Sequence, residues 1–373
     1  MIAAVALRWQ TRFGMVASWI VTVRRTTLEH YAGLDVSLKE ISICVVDRDG
    51  NTVARGTCLA DPEGIAGWFR NRSLEPNRIV HESGMLSIWL QRGLERIGLA
   101  ATCIDARKAH KSLSARLNKS DAGDAEGLAQ LARTGWFTPV HIRTEASDRL
   151  RALIGARERL FRLRKDLEGH IRGVLKTFGI RMTGISQGRQ RQAFRDQLAA
   201  AGETNTVLRV IADGFITAHA TLCQAAADLD AALKRKARDH SVARRLMTIP
   251  GVGPVNALSF IALIDDPSRF GRTSDVGAFL GITPKRHQSG EIDWSGRVSK
   301  CGDSAMRGLL FEAAASVIRQ VKRFSALKSW AVRLAGRRGF RKAAVATARK
   351  IAVLMLTLWK NETEYHWTKE ATA

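Results

Sequence analysis

The stretch YAGLDVSLKEISICVVDRDGNTVARGT, residues 31–57, decides the fold. It holds three short β-rich runs, 31–36, 41–47 and 51–57, rich in β-branched and apolar side chains. Asp49-Gly50 joins the last two, and an Asp-Gly step readily supplies the positive-φ residues that a two-residue hairpin turn needs. The runs therefore predict an antiparallel meander. Working outward, the pattern predicts a helical stretch at 65–70, a strand at 78–82, a helix at 86–97, a strand at 101–105 and a helix at 121–132.

Three antiparallel strands followed by alternating helix and strand is the order of a ribonuclease-H-like α/β fold. From about residue 144 to 246 strand patterns vanish. Leu150, Leu153, Leu160, Leu167, Ile171 and Leu175 recur at helical spacing, while Arg159, Arg162, Lys165, Arg172 and Lys176 lie off that stripe. A Gly- and Gln-rich break at 184–192 precedes a second helical stretch with Leu208, Ile211, Phe215, Leu222 and Leu233, so an antiparallel helical hairpin is expected. The last third opens with the turn Ile249-Pro-Gly-Val-Gly-Pro254 and ends in two helical runs near 305–321 and 341–359. The expected divisions are a leader at 1–29, disordered or not native, an α/β domain at 30–143, a basic helical hairpin or coiled coil at 144–246, and a mainly helical C-terminal domain at 247–373.

The chain has 373 residues, 45% of them hydrophobic, enough for more than one core. Lys and Arg number 59 against 35 Asp and Glu, and the net charge of +24 points to a polyanionic partner. The longest uncharged stretch, 246–264, is interrupted by Pro250 and Pro254, so no membrane partner is expected. The five cysteines form no C-x-x-C pair, which argues against a disulfide framework or structural zinc and for the cytoplasm. The apolar run 13–23 between arginines imitates a signal peptide but lacks a clear cleavage site.

Asp121 and Asp124 stand three apart at the start of the helix that carries Ala125, Leu128, Leu131 and Ala132. The pair can be read as an N-cap plus a favourable charge at the helix dipole, or as two ligands on the packed stripe. Asp35 within the first strand and Glu82 at the end of the fourth favour the second reading, since adjacent strands would bring their carboxylates together. Four hard oxygen ligands suit Mg²⁺ or Mn²⁺. Near the other end, the Gly251 and Gly253 turn can be a simple structural turn or a helix-hairpin-helix element whose backbone N–H groups hold a phosphate. Ser289 lies among Lys285, Arg286, His287, Arg297 and Lys300, where a turn serine and a nucleophile flanked by phosphate-binding cations are both possible.

The segments Y-A-G-L-D-V-S (31–37), H-E-S-G (81–84) and N-K-S-D-A-G-D-A (118–125) resemble the D-E-D-D motifs of the "IS one-ten" insertion-sequence transposases, whose first domain is similar to the RuvC resolvase. The likeness continues through P-G-V-G-P, then D-P-x-R-F (266–270) and G-I-T-P (281–284), and covers nearly the whole chain from residue 30. It implies that Asp35, Glu82, Asp121 and Asp124 form a metal-binding catalytic tetrad and that Ser289 is a covalent nucleophile. It also implies cutting and rejoining of DNA through a phosphoserine intermediate, a noncoding guide RNA as a second partner, and a homo-oligomer, dimer or tetramer, with sites composed from two chains in the cytoplasm at the nucleoid. The chain departs from the pattern in the acidic insert 291–294 and in Asp303, where asparagine is expected. Two rivals remain at this level: a RuvC-like metal-dependent junction nuclease that uses water, and a catalytically inactive nucleic-acid-binding protein.

Overall fold

The computed structural model describes residues 29–113, 121–185, 188–290 and 292–367. The expected leader, at 1–29, lies outside these residues except for its last. The chain divides into two compact units, 1–142 and 143–373.

In unit 1 the strands are β1 (Tyr31–Val36), β2 (Glu40–Val46), β3 (Thr52–Leu59), β4 (Arg78–Glu82) and β5 (Ala101–Ile104). The helices are α1 (Pro62–Arg70), α2 (Ser87–Arg96), α3 (Ala106–Leu113) and α4 (Asp121–Thr134). The sheet has five strands in the order β3-β2-β1-β4-β5. The meander forms as its turn chemistry dictates: β1–β2 and β2–β3 are antiparallel, and Gly50 takes φ 91° in the turn. β4 returns parallel to β1, with Leu34 beside His81, and β5 is parallel to β4. One face, with Ala32, Leu34, Ile43 and Ile79, packs on Ile65, Phe69, Leu90 and Leu94 of α1 and α2. The other face, with Cys44, Val46 and Val80, packs on Ala125, Leu128, Ala129 and Ala132 of α4. The helix α3 was not anticipated from the pattern; Asp105 caps it by accepting from the Lys108 amide.

Unit 2 begins with α5 (Glu145–Thr177), α6 (Gln190–Gly202) and α7 (Thr206–Asp239). Thr144 and Asn205 cap α5 and α7 by accepting from backbone amides, the role their short polar side chains suit. The contacts Arg157–Asp230, His219–Glu168 and His170–Phe215 run in opposite directions along α5 and α7, so the two form an antiparallel hairpin. The short α6 closes its far end around Ile171, Leu175, Phe194 and Leu208. Within α7 a window of mean hydropathy 1.2 is long and apolar enough to cross a membrane, but that helix is an arm of the hairpin and its inner stripe includes the buried His219.

Then follow α8 (Ser241–Leu246), α9 (Pro254–Ile264), α10 (Val276–Phe279), the antiparallel strands β6 (Pro284–Ser289) and β7 (Ile292–Val298), α11 (Ser304–Arg319), α12 (Ala326–Arg338) and α13 (Phe340–Lys360). The core centres on α9, whose Ala257, Leu258, Phe260 and Ile264 are buried, and takes in Leu310 and Val317 of α11 and Ile351 and Met355 of α13. Pro254 opens α9 at a position where a missing N–H costs nothing. The two expected closing runs form as α11 and α13; between them the structure adds α12, which the pattern did not anticipate and which Gly339 at φ 79° separates from α13. The basic stretch around Ser289 forms the β6–β7 hairpin, with Ser289 as the last residue of β6.

Candidate functional site

The carboxylates sit where the sheet and α4 meet. A Cβ on Gly33 would lie 2.2 Å from the Ala125 carbonyl oxygen and 2.3 Å from the Ala129 amide nitrogen, so α4 rests directly on β1. Gln130 donates to the Gly50 carbonyl at 2.8 Å, which fixes the end of α4 over the β2–β3 turn and its start toward the carboxyl end of β1. Asp35 is two residues past Gly33, and Glu82 two past Val80, so alternation turns both toward the α4 face. The register Leu34 beside His81 puts them on neighbouring strands at the same edge. Asp121 and Asp124 each lie four residues before a sheet-facing residue, Ala125 and Leu128, and so continue that stripe past the sheet.

The fold thus brings all four to one edge. It does not close them into a ligand shell: among the described residues no three His, Cys, Asp or Glu side chains are gathered tightly enough to hold a metal ion. Asp121 is exposed, and Asp35, Glu82 and Asp124 are half-buried. The donor chemistry fits a hard divalent ion. The segment 114–120, which leads into Asp121, lies outside the described residues.

A brace behind Glu82 escaped the sequence reading. His81 is fully buried on the opposite face, with Nε2 2.9 Å from Gln91 Oε1. The Gln91 amide donates to Glu95 and to the Ala101 carbonyl at 2.8 and 2.7 Å, which leaves its Oε1 as the acceptor facing Nε2, while Nδ1 lies 3.3 Å from the Glu82 carbonyl. Burial pushes the His81 pKa below its ordinary value and keeps the ring neutral. The legible signal was a histidine two residues after Ile79, on the strand face that the apolar pattern turns inward.

In unit 2, Ser289 is exposed and ends β6, next to Gly290 at φ 57° in the turn. Strand alternation places Ser289 on the face shared by Trp294, half exposed at 52%, and places Arg286 and Arg297 on the other face. Arg286 grips Asp293 through two hydrogen bonds, Nε to Oδ1 at 2.8 Å and Nη2 to Oδ2 at 2.5 Å. That bond holds the Asp293 carboxyl below its usual pKa and raises that of Arg286. The acidic insert therefore occupies one of the expected phosphate-binding cations. Lys285 and Lys300 are exposed, Lys300 in the left-handed region at φ 57° where its amide donates to the Gly281 carbonyl.

The turn between α8 and α9 separates its two glycines. Gly251 has φ 81°, and a Cβ there would meet the Ala313 carbonyl oxygen of α11 at 2.5 Å, so its glycine serves packing. Gly253, the residue before α9, would meet nothing within 4 Å, and no side chain caps that helix start.

Comparison with known proteins agrees with this arrangement. Residues 32–180 match a family model described as a transposase, of the DEDD IS110 type, and residues 243–329 match one described as transposase IS116/IS110/IS902 family. The chain is 32% identical over 342 residues to a transposase for insertion sequence element IS1111A from Coxiella burnetii, covering 89% of this chain and 90% of the relative. It is 26% identical over 343 residues to a probable family 20 transposase from Pseudomonas aeruginosa, covering 89% and 97%. A putative transposase, y4pF/y4sB, from Sinorhizobium fredii is 31% identical over 255 residues, covering 66% and 64%. With relatives of that identity along nearly its full length and transposase family models matching both units, the chain belongs to the IS110 family of insertion-sequence transposases.

Proposed function

We propose that this transposase cuts and rejoins DNA by using Ser289 as nucleophile, with unit 1 as a RuvC-like, ribonuclease-H-like metal domain. The observation that supports it most is the edge of the unit 1 sheet, where Asp35 and Glu82 end neighbouring parallel strands on the face toward the start of α4, which bears Asp121 and Asp124. In such an arrangement Asp35, Glu82, Asp121 and Asp124 would hold Mg²⁺ or Mn²⁺, which supplies Lewis-acid stabilisation of the charge on a phosphate in displacement. The carboxylates would hold and orient that cation, whose charge offsets that of the phosphate; Ser289 attacks. Its Oγ forms a bond to phosphorus, the bond from phosphorus to the 3′- or 5′-oxygen breaks, and the hydroxyl proton passes to the departing oxygen. Bond energy stays in the phosphoserine ester for the reverse attack by a second DNA end, so no hydrolysis is needed.

Ser289 stands exposed at a hairpin tip, as attack on a bulky substrate requires. A noncoding guide RNA fits the same reading, since the α5–α7 hairpin adds exposed Arg159, Arg162 and Lys176 to the DNA-handling charge. Assembly as a homo-oligomer at the nucleoid belongs to the same proposal. The test is denaturing electrophoresis of the protein with end-labelled element DNA. A labelled band at the protein's mass, lost in Ser289→Ala and in Asp121→Asn, is expected. Cutting that persists in Ser289→Ala without any adduct would establish a water-using nuclease instead. Calorimetric titration with Mn²⁺ provides a separate readout: the parent should bind and Asp35→Asn should bind at least tenfold more weakly.

A further inference from the structure

Residues 313–361 contain twelve Lys and Arg and no Asp or Glu, half of the net charge of +24 in 49 of 373 residues. They fold as the second half of α11, then α12 and α13, a helical hairpin turned at Gly339. Its inner side is apolar, with Leu327, Ala331, Ala344 and Ile351 in the core, so the charge is driven outward. Arg333, Arg337, Arg338, Arg341 and Lys342 are all exposed, and among the described residues no carboxylate pairs with any of them. The arrangement opposes itself. Arg333 and Arg337 are like charges one turn apart, and Arg341 and Lys342 occupy the first turn of α13, where cations oppose the helix dipole and no acidic residue offsets them. A face built this way is relieved only by an anion of high charge density.

We infer that the α12–α13 turn is a second DNA-backbone contact of unit 2, separate in sequence from the Ser289 hairpin, that grips duplex phosphates without reading sequence. The inference rests on the DNA-handling reading above, which membership of a transposase family favours over an anionic membrane. The cations outnumber the exposed apolar side chains around them, Phe324 and Val332, which favours phosphates over lipid in the same way.

The experiment is equilibrium binding of the full chain to a short duplex of unrelated sequence over a range of salt. The variant carries Arg337→Gln, Arg338→Gln, Arg341→Gln and Lys342→Gln. Each phosphate contact contributes about 0.9 to the slope of log K against log salt, so the slope should fall by roughly 3 to 4 and affinity near 0.1 M salt by at least a hundredfold. A parallel variant, Arg323→Gln with Arg338→Gln, should lower the slope by about half as much and guards against misfolding of the first. A slope unchanged in both variants overturns the inference, as does loss of binding to phosphatidylserine vesicles with duplex binding intact. Ser289→Ala should keep the parental slope, so failure of the nucleophile and failure of this surface are told apart.

Discussion

Replacing Gly33 by alanine adds one methyl group at the closest approach between sheet and helix in unit 1. The new Cβ would lie 2.2, 2.3 and 2.7 Å from backbone atoms of Ala125, Ala129 and Leu128, against ordinary contacts of 3.4–4 Å. Backbone cannot rotate away as a side chain can, so α4 must retreat by roughly 1 Å along its buried face. Overpacking of this kind costs about 1–3 kcal/mol, and rigid neighbours put Gly33→Ala at the upper end. A loss of about 3 kcal/mol speeds hydrogen exchange in 31–46 and 121–134 roughly a hundredfold where local opening controls it. Because α4 carries Asp121 and Asp124 over Asp35, DNA cleavage should fall with it. Gly67→Ala in α1 is the control: nothing lies within 4 Å of its added Cβ, and alanine favours the helix by about 0.5–1 kcal/mol. Exchange in Gly33→Ala as slow as in the parent would refute the placement of α4 on β1, and with it the shared edge of the four carboxylates.

Three further outcomes follow from the geometry. Gly251→Ala should lower the melting temperature of unit 2, since its Cβ strikes the Ala313 carbonyl, whereas Gly253→Ala should leave stability near that of the parent and reveal in its salt slope whether the α9 start meets phosphate. Asp293→Asn should release Arg286 from its bidentate bond and steepen the salt dependence of DNA binding by about 0.9, with no slope change if the cation stays on the hairpin. His219 is fully buried beside Glu168, Arg164, Lys165, Arg195 and Cys223, and burial lowers its pKa. Below the unfolded value near 6.5 the open chain binds a proton that the folded arm refuses, so stability falls as pH drops through that range by up to about 1.4 kcal/mol per unit. Protection factors of α5 and α7 should therefore drop from pH 7.5 to 5.5 in the parent and less so in His219→Gln; equal drops would remove His219 as the cause.

The neutral His219 belongs to a network that the helical pattern could not show. Glu168 is buried at 1% exposure with Arg164 Nε and His219 Nε2 each 3.3 Å away. Its sequence spacing on α5 reads as one more charge off the apolar stripe. Only the approach of α7 makes it an interior ion, and removal of Arg164 would leave it with the outer Lys165 as its remaining counter-charge.

By itself the sequence determined the meander, from an Asp-Gly turn between alternating runs, the long helical arms, from their 3.6-residue stripes, and the polyanion-seeking charge. It also indicated the faces of Asp35, Glu82, Asp121 and Asp124, because residues in strands and in a first helical turn carry their direction in local periodicity. Tertiary structure alone decided what Gly33 and Gly251 are for, since close approach of a distant backbone leaves no trace in residue type beyond a missing side chain. It likewise decided that residues 285–300 pair as strands, with Arg286 committed to Asp293 and turned from Ser289. Local signals fix a residue's face and conformation; which partner meets that face is set by contacts between segments far apart in the chain, and those depend on the packing of the whole unit.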